Sequence, residues 1–208
     1  MKYSSQSTEY EYYSERVPPH VKAEERGIVM VVYDATIYSL YANIKILREL
    51  GCLLPIEIWY RPEEIRTCDA ILIKLQQEYP ETLVIREIVD PSATHFYVKP
   101  YAVYHSHFDQ VLFLDSDNTP LRDPTYLFET KEFKQKGTIF WPDYWQPSNT
   151  IFNLHSRSMI WELIGVEYAD MFEQESGQLL IDKTRSKTAL EVEFHNTNIL
   201  RYSQNTTK

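Results

Sequence analysis

The sequence predicts an α/β protein in which helices flank a mostly parallel, doubly wound β-sheet. Three observations support this fold. Apolar runs of strand length alternate with segments of helical periodicity through the first half of the chain. The runs are apolar on both faces, as strands buried between two helical layers are. A chain of 208 residues that is 43% hydrophobic and 25% charged is also long enough for a substantial core.

The first strand–helix–strand unit has the clearest pattern. Residues 27–33 form a continuous apolar run typical of a central parallel strand. The following segment, 34–49, carries apolar residues at helical spacing, with Asp34 or Thr36 as a candidate N-cap. Gly51 suits the end of that helix, and residues 56–60 form the next strand. A parallel βαβ unit with right-handed connection follows.

The same alternation continues to an acidic motif. We expect a helix over 63–77, a strand over 82–89, a helix over 97–108 with Pro100 in its first turn, and a strand over 111–114. The last strand runs directly into two aspartates. The carboxyl ends of parallel strands therefore become the place to look for a ligand site.

The remaining elements are shorter and separated by turns. Their order supports continuation of one sheet. They are a turn-rich segment at 118–124, a packing anchor at 127–128, a strand at 137–143 ended by Pro142, a short helix at 159–164, a return strand at 179–182 and a helix from Thr188.

This pattern divides the chain into three parts. We expect a flexible lead-in over 1–26, one α/β domain over 27–190 and a divergent polar tail over 191–208. The net charge of −9, without a long basic run, argues against a nucleic-acid partner. The sequence shows neither an apolar run of spanning length nor a signal peptide.

The two cysteines leave the redox state open. Cys52 and Cys68 form neither a zinc pattern nor a CxxC motif, so one disulfide or two free core thiols are the alternatives. A glycosylation sequon at Asn205 is weak evidence of secretion, since such short motifs often arise by chance.

The acidic motif is the first candidate site. Asp115 and Asp117 lie two residues apart after a buried strand, so a slight turn would let both carboxylates share one cation. Mg²⁺ and Mn²⁺ bind one or two carboxylates and bridge to substrate phosphates. The alternative is a solvated turn, because Asp and Asn are ordinary turn residues.

Two further candidates precede the motif. Lys99, on the helix that feeds the acidic strand, could join a metal in neutralising a diphosphate, or could be a solvated first-turn residue. Tyr33 and Asp34 end the first strand, where a nucleotide base and ribose would bind, although Asp34 could instead cap the helix. The chain contains no dinucleotide or P-loop fingerprint.

Two candidates follow the motif. Asp143, after a strand-ending proline, could hydrogen-bond sugar hydroxyls or belong to a simple turn. In the block 175–178, Gly177 would let the backbone approach a ligand closely, and Glu175 and Gln178 could face a sugar from one side. The alternative for this block is a surface turn before the return strand.

Together, these blocks resemble the fungal Golgi α-mannosyltransferases, the α-1,3 and α-1,2 enzymes that extend mannan and glycans. The resemblance runs from about Gly27 to Leu190. The motifs that carry it are Val111–Asn118, Leu121–Pro124, Leu127–Phe128, Gly137, Phe140–Asp143 and Glu175–Gln178.

The resemblance implies a GT-A fold, GDP-mannose as donor, Mn²⁺ (or Mg²⁺) as cofactor, and retention of anomeric configuration. It implies that Asp115 and Asp117 hold the metal and donor diphosphate and that Lys99 has a role in donor binding. Asp143 and the block 175–178 match family motifs, and we expect Gln178 or Glu175 near the transferred sugar. Together with Asp143 and Gly177, the strand-end residues Tyr33 and Asp34 complete the expected donor site. The acceptor would be a mannose-containing glycan of mannan or glycoprotein. Location in the Golgi, with membership of a mannosyltransferase complex, also follows from the resemblance.

Two departures from the family pattern produce a second hypothesis. The family carries an N-terminal membrane anchor, which is not seen here, and continues to a further acidic and aromatic motif, which residues 191–208 do not resemble. We therefore expect a C-terminally truncated copy, either active or a non-catalytic remnant that binds nucleotide sugar or a partner enzyme. A third hypothesis, a metal-dependent phosphohydrolase, would require more clustered acids and histidines.

Overall fold

A computed structural model describes residues 26–65, 69–144 and 155–192 of the chain. These residues form one six-stranded sheet in the order β3-β2-β1-β4-β6-β5. Strands β1 to β4 are parallel neighbours in the first half of the sheet, whereas β6 runs antiparallel to both β4 and β5. The strands are β1 (Arg26–Val32), β2 (Ile56–Tyr60), β3 (Leu83–Glu87), β4 (Gln110–Leu114), β5 (Thr138–Pro142) and β6 (Gln174–Asp182).

Five α-helices and three 3₁₀ segments connect the strands within the described ranges. The α-helices are α1 (Ile37–Glu49), α2 (Ala70–Glu78), α3 (Val98–His105), α4 (Lys131–Lys136) and α5 (Ile160–Ile164), and the 3₁₀ segments are Asp34–Thr36, His95–Tyr97 and Pro124–Glu129. Residues 187–192 are also helical, as expected for the segment near Thr188. None of the helices in the described ranges is long and apolar enough to cross a membrane.

The sheet has a buried cluster on each face, as the alternation of strand side chains requires. On one face, Ile28 and Leu112 pack with Leu40 and Ile44 of α1. On the other face, Val29 and the residues that share its orientation pack under α3. The helices therefore cover both faces, and the predicted flanked, mostly parallel sheet is confirmed.

Three predicted boundaries are wrong. The second helix begins at Ala70, not at residue 63, because the Asp69 carboxylate caps it by accepting a hydrogen bond from the Ile71 amide at 2.8 Å. The third helix ends at His105, so Phe108 lies in the connection to β4. The block 175–178 belongs to β6 itself and is not a turn before the return strand.

Some predictions fall on parts of the chain without described structure. The lead-in as far as residue 25, Cys68, the sequon at Asn205 and most of the tail lie outside the described residues. Cys52 is a buried free cysteine, as the two-thiol alternative expects for that position. The division into a lead-in, a domain and a tail stays a prediction.

We expect His105 to make the fold sensitive to acid. Burial is the main cause that lowers the pKa of His105 from 6.5 to about 4, and the positive charge of Lys183 lowers it further. Between these two pH values the unfolded chain binds a proton that the folded chain does not, so stability falls as pH falls. We expect the free energy of unfolding to drop by about 2 kcal/mol between pH 7 and pH 5 through this group.

Urea unfolding at both pH values measures this effect. The variant His105→Gln should lose the dependence that is due to this side chain, while His95→Gln, at an exposed histidine, should retain it. Parallel pH dependences in the wild type and His105→Gln would contradict the prediction.

Candidate functional site

The acidic motif forms a tight turn at the carboxyl end of β4. The Asp115 amide donates to the Gly177 carbonyl at 2.8 Å, which extends the β4–β6 ladder one residue past Leu114. The Asn118 amide then donates to the Asp115 carbonyl at 3.0 Å and closes the turn. Asp115 is half-buried beside β6, and Asp117 is exposed at the rim of the sheet. The predicted location of both carboxylates at this edge agrees with the structure.

Lys99 reaches this turn from α3. Its Nζ donates to Asp115 Oδ2 at 2.6 Å and to the Ser176 carbonyl at 3.3 Å. About a quarter of each side chain of the Lys99–Asp115 pair is exposed. Lys99 is therefore held against the acidic motif, and the alternative of a freely solvated first-turn residue does not describe it.

Gly177 is the point at which β6 and the acidic turn come closest. A Cβ placed on Gly177 would lie 2.9 Å from Glu175 Oε1, 3.0 Å from Asn118 Nδ2 and 3.2 Å from Asp115 Oδ2. The same groups bind its backbone, because the Gly177 amide donates to Glu175 Oε1 at 2.6 Å and its carbonyl accepts from Asn118 Nδ2 at 2.7 Å. Only a residue without a side chain fits here without displacing a polar group.

The turn concentrates negative charge. Burial raises the pKa of Asp115, the Lys99 ammonium opposes that shift, and the charges of Asp117 and Glu175 add to it. Three carboxyl groups thus share one rim of the sheet with one ammonium. A cation at this rim would relieve their repulsion.

The donor set suits a hard divalent cation that is also held by a substrate. Among the residues that the structure describes, no cluster of three or more His, Cys, Asp or Glu is arranged as a metal site. Two aspartates, Asp115 and Asp117, fit Mg²⁺ or Mn²⁺, which keep several waters and take further oxygens from phosphates. The chemistry of the residues present therefore fits the expected cofactor.

Tyr33 and Asp34 lie next to this turn, at the carboxyl end of β1. Both are exposed, and β1 is the direct neighbour of β4 in the sheet. Asp34 begins a 3₁₀ segment and does not occupy the N-cap position of α1, which belongs to Thr36. The Thr36 hydroxyl connects the two strand ends, because it accepts a hydrogen bond from the Ser116 hydroxyl at 2.8 Å.

The structure separates the other candidates. Glu175 lies two residues from Gly177 on the same face of β6, whereas Gln178 shares the opposite face with the core residue Leu180. The expectation that Glu175 and Gln178 face a sugar from one side therefore does not match the strand. Asp143 follows β5 at the same sheet edge, and its amide donates to the Glu173 carbonyl at 2.7 Å. Glu173 is four residues, or about 13 Å of strand, from Gly177.

Three residues of this region have a role in the structure that the sequence motifs do not predict. Asn118 was part of the motif, but its bond to the Gly177 carbonyl joins positions 59 apart and cannot be read from local pattern. Ser116 is buried, although it lies between the half-buried Asp115 and the exposed Asp117. Asn43 could be recognised from the sequence, because it is a polar residue within the apolar stripe of α1 and buried polar groups need hydrogen-bond partners.

Removing the Lys99 charge should weaken binding of an anionic ligand at this rim. In Lys99→Gln, Asp115 loses the ammonium that contacts it, and a diphosphate would lose a cationic partner. We expect about a 10-fold rise in the Kd for a nucleoside diphosphate measured by calorimetry with Mn²⁺. Lys99→Arg should retain more of the affinity than Lys99→Gln, and equal, unchanged affinities would exclude the role.

Known proteins resemble this chain in both sequence and fold. A family model described as a mannosyltransferase matches residues 25–198. An α-1,2-mannosyltransferase of Candida albicans, MNN21, is 31% identical over 198 residues, which cover 84% of this chain and 30% of that protein. The chain thus spans less than a third of the length of this relative.

Solved glycosyltransferases share the fold. The bifunctional glycosyltransferase WbbM superposes with a TM-score of 0.59 at 15% identity, over 83% of this chain and 34% of that one. The galactosyltransferase LgtC, solved with donor and acceptor sugar analogues, superposes with a TM-score of 0.55 at 15% identity, over 82% of this chain and 66% of that one. These proteins are GT-A glycosyltransferases, and the GT-A fold expected from the sequence is confirmed.

Proposed function

Because the chain belongs to the mannosyltransferase family, whose model matches residues 25–198, we propose that it transfers mannose from GDP-mannose to a hydroxyl of a glycan acceptor. The transfer depends on Mn²⁺ or Mg²⁺ and retains the anomeric configuration. The acceptor is a mannose-containing oligosaccharide of mannan or glycoprotein. The resemblance to fungal α-mannosyltransferases, found from the motifs, agrees with relatives from Candida albicans and Saccharomyces cerevisiae.

One observation carries this proposal. Asp115 and Glu175 lie beside Gly177 at the carboxyl edge of the sheet, and Lys99 donates a hydrogen bond to Asp115 there. Open α/β sheets bind ligands outside the carboxyl ends of their strands. A negatively charged rim with one ammonium is suited to a dinegative diphosphate only if a further cation is present, so the arrangement favours a metal-dependent donor site.

Asp115 and Asp117 are the residues that would hold the metal. When bound, the metal supplies Lewis-acid stabilisation of the departing diphosphate. Lys99 orients Asp115 through its 2.6 Å contact and places a fixed positive charge beside the same phosphates. Tyr33 and Asp34, at the adjacent strand end, are the candidates for contact with the base and ribose.

The sugar side of the site lies along β6. One carboxylate oxygen of Glu175 accepts the Gly177 amide and thereby fixes the orientation of the side chain near Asp115. Glu175 is consequently our candidate for the group nearest the transferred mannose, with Gln178 as the alternative on the other face of the strand. Asp143 would contact sugar hydroxyls at the far end of this edge. The acceptor hydroxyl then attacks from the face that GDP leaves.

Calorimetric titration of GDP with and without Mn²⁺ tests the donor site, followed by a transfer assay from GDP-mannose to mannobiose. We expect GDP binding that Mn²⁺ strengthens and that is tighter than UDP binding, with transfer of one mannose. Binding without transfer would instead support a remnant that holds the nucleotide sugar. Absence of GDP binding, or binding indifferent to Mn²⁺, would exclude both.

The site offers little support for the phosphohydrolase hypothesis. Such an enzyme would need additional acids and histidines around the metal, and the described residues contain no cluster of three. Golgi location and assembly with other mannosyltransferases rest on the resemblance and stay predictions.

A further inference from the structure

A buried polar network lies directly beneath the acidic turn. The described residues include five buried polar or charged side chains, and three of them belong to this network: Thr36, Asn43 and Ser116, each 7% exposed or less. Buried polar groups cost free energy unless they are hydrogen-bonded, so a concentration of them in one place calls for an explanation.

The hydrogen bonds of the network join the acidic turn to the residues that follow β1, and the Thr36 hydroxyl also accepts a bond from the Tyr33 amide at 3.4 Å. The Ser116 hydroxyl donates to Thr36 Oγ1 at 2.8 Å, and the Thr36 hydroxyl donates to the Tyr33 carbonyl at 3.2 Å. From the other side, Asn43 Nδ2 of α1 donates to the Ser116 carbonyl at 2.9 Å. The hydroxyl and the carbonyl of Ser116 are therefore both hydrogen-bonded to residues in the elements that follow β1.

Ser116 occupies a critical place in the turn. It lies between Asp115 and Asp117, so fixing its side chain and its carbonyl fixes the peptide units that carry both aspartates. Asp117 is exposed at the rim of the sheet. Its position is constrained by the hydrogen bonds of Ser116, which lie beneath the turn.

We propose that Thr36, Asn43 and Ser116 are positioning residues that preorganise Asp115 and Asp117 for the metal and link them to the base-binding end of β1 at Tyr33. This inference rests on the proposed function. Preorganisation lowers the cost of ordering the turn when the metal and donor bind. The network would thus affect the metal-dependent part of donor affinity and spare the part that does not involve the metal.

Substitution of Thr36 is the sharpest test. Thr36→Val keeps the shape and removes the hydroxyl. This hydroxyl makes no side-chain capping bond to α1, although it accepts a bond from the Tyr33 amide at 3.4 Å in the preceding 3₁₀ segment. We expect the Kd for GDP with Mn²⁺ to rise about 10-fold, with metal-free GDP affinity unchanged. Thr36→Ser retains the hydroxyl and should restore near wild-type affinity.

A second variant completes the experiment. Ser116→Ala removes the donor at the other end of the same bond and should give a similar loss, which covers the case that Thr36→Val does not fold. A network that merely stabilised the fold would lower the melting temperature of both variants and leave the Kd of the folded proteins for GDP with Mn²⁺ unchanged.

The outcomes separate the two proposals. If the wild type shows no Mn²⁺-dependent GDP binding, the proposed function fails and this inference fails with it. If the wild type binds while folded Thr36→Val and Ser116→Ala bind equally well, the inference alone is overturned. Equal weakening of metal-free and metal-dependent binding would overturn it as well.

Discussion

Replacing Asp117 with alanine should abolish Mn²⁺-dependent GDP binding, with a loss of about 100-fold or more, while the fold stays intact. The carboxylate is exposed at the end of β4 and makes no contact on which the core depends. Its removal leaves Asp115, already paired with Lys99, as the remaining aspartate for the metal. Calorimetry with and without Mn²⁺ measures the effect directly.

A matched variant controls for the loss of an acid from the surface. Asp109 is an exposed aspartate at the opposite end of β4. Asp109→Ala therefore makes the same change in net charge as Asp117→Ala, but at the edge of the sheet away from the acidic turn. It should bind GDP as the wild type does. Unchanged affinity in Asp117→Ala would defeat the assignment of the donor site.

A valine at Gly177 should be comparably damaging. Even its Cβ would lie within 3.2 Å of three polar atoms, those of Glu175, Asn118 and Asp115, and the branched methyl groups would press further into the acidic turn. We expect about a 100-fold loss of donor affinity together with about 1–3 kcal/mol of destabilisation from overpacking. Calorimetry and urea unfolding give the two quantities separately.

The neighbouring residue provides the comparison. Ser176 is exposed and alternates to the other face of β6, so Ser176→Val adds similar bulk to the same strand without entering the acidic turn. It should leave GDP affinity nearly unchanged, and Gly177→Ala should fall between the two. If Gly177→Val binds as tightly as Ser176→Val, the cradle around this glycine does not position the donor site.

The local sequence pattern is sufficient to predict the strands and helices that bury both faces of the sheet. Strand β1 and helix α1 follow from a continuous apolar run and from an apolar stripe at helical spacing, and the structure places both as expected. The acidic turn was also locatable, because its position after a buried strand fixes the edge on which it lies. The same argument predicts Lys99 as a residue of the site, but it does not predict the contact between Lys99 and Asp115.

The errors arose where local and distant signals compete. Glu63 and Glu64 resemble the start of a helix, but the chain turns there and begins α2 only after the Asp69 cap. The sequence Glu175-Ser176-Gly177 resembles a turn, yet pairing with β4 keeps it extended. In both cases a hydrogen-bond partner decides the structure, and for Gly177 that partner is about sixty residues away.

The place of β6 in the sheet determines when the acidic site can exist. This strand inserts between β4 and β5, both of which are synthesised before it. Until residues 174–182 leave the ribosome, two neighbouring edges remain open and Asp115 lacks the backbone partner that ends its strand. The site therefore cannot mature before β6 has been synthesised, and a nascent chain interrupted before β6 would present two open strand edges to chaperones or to other copies of itself.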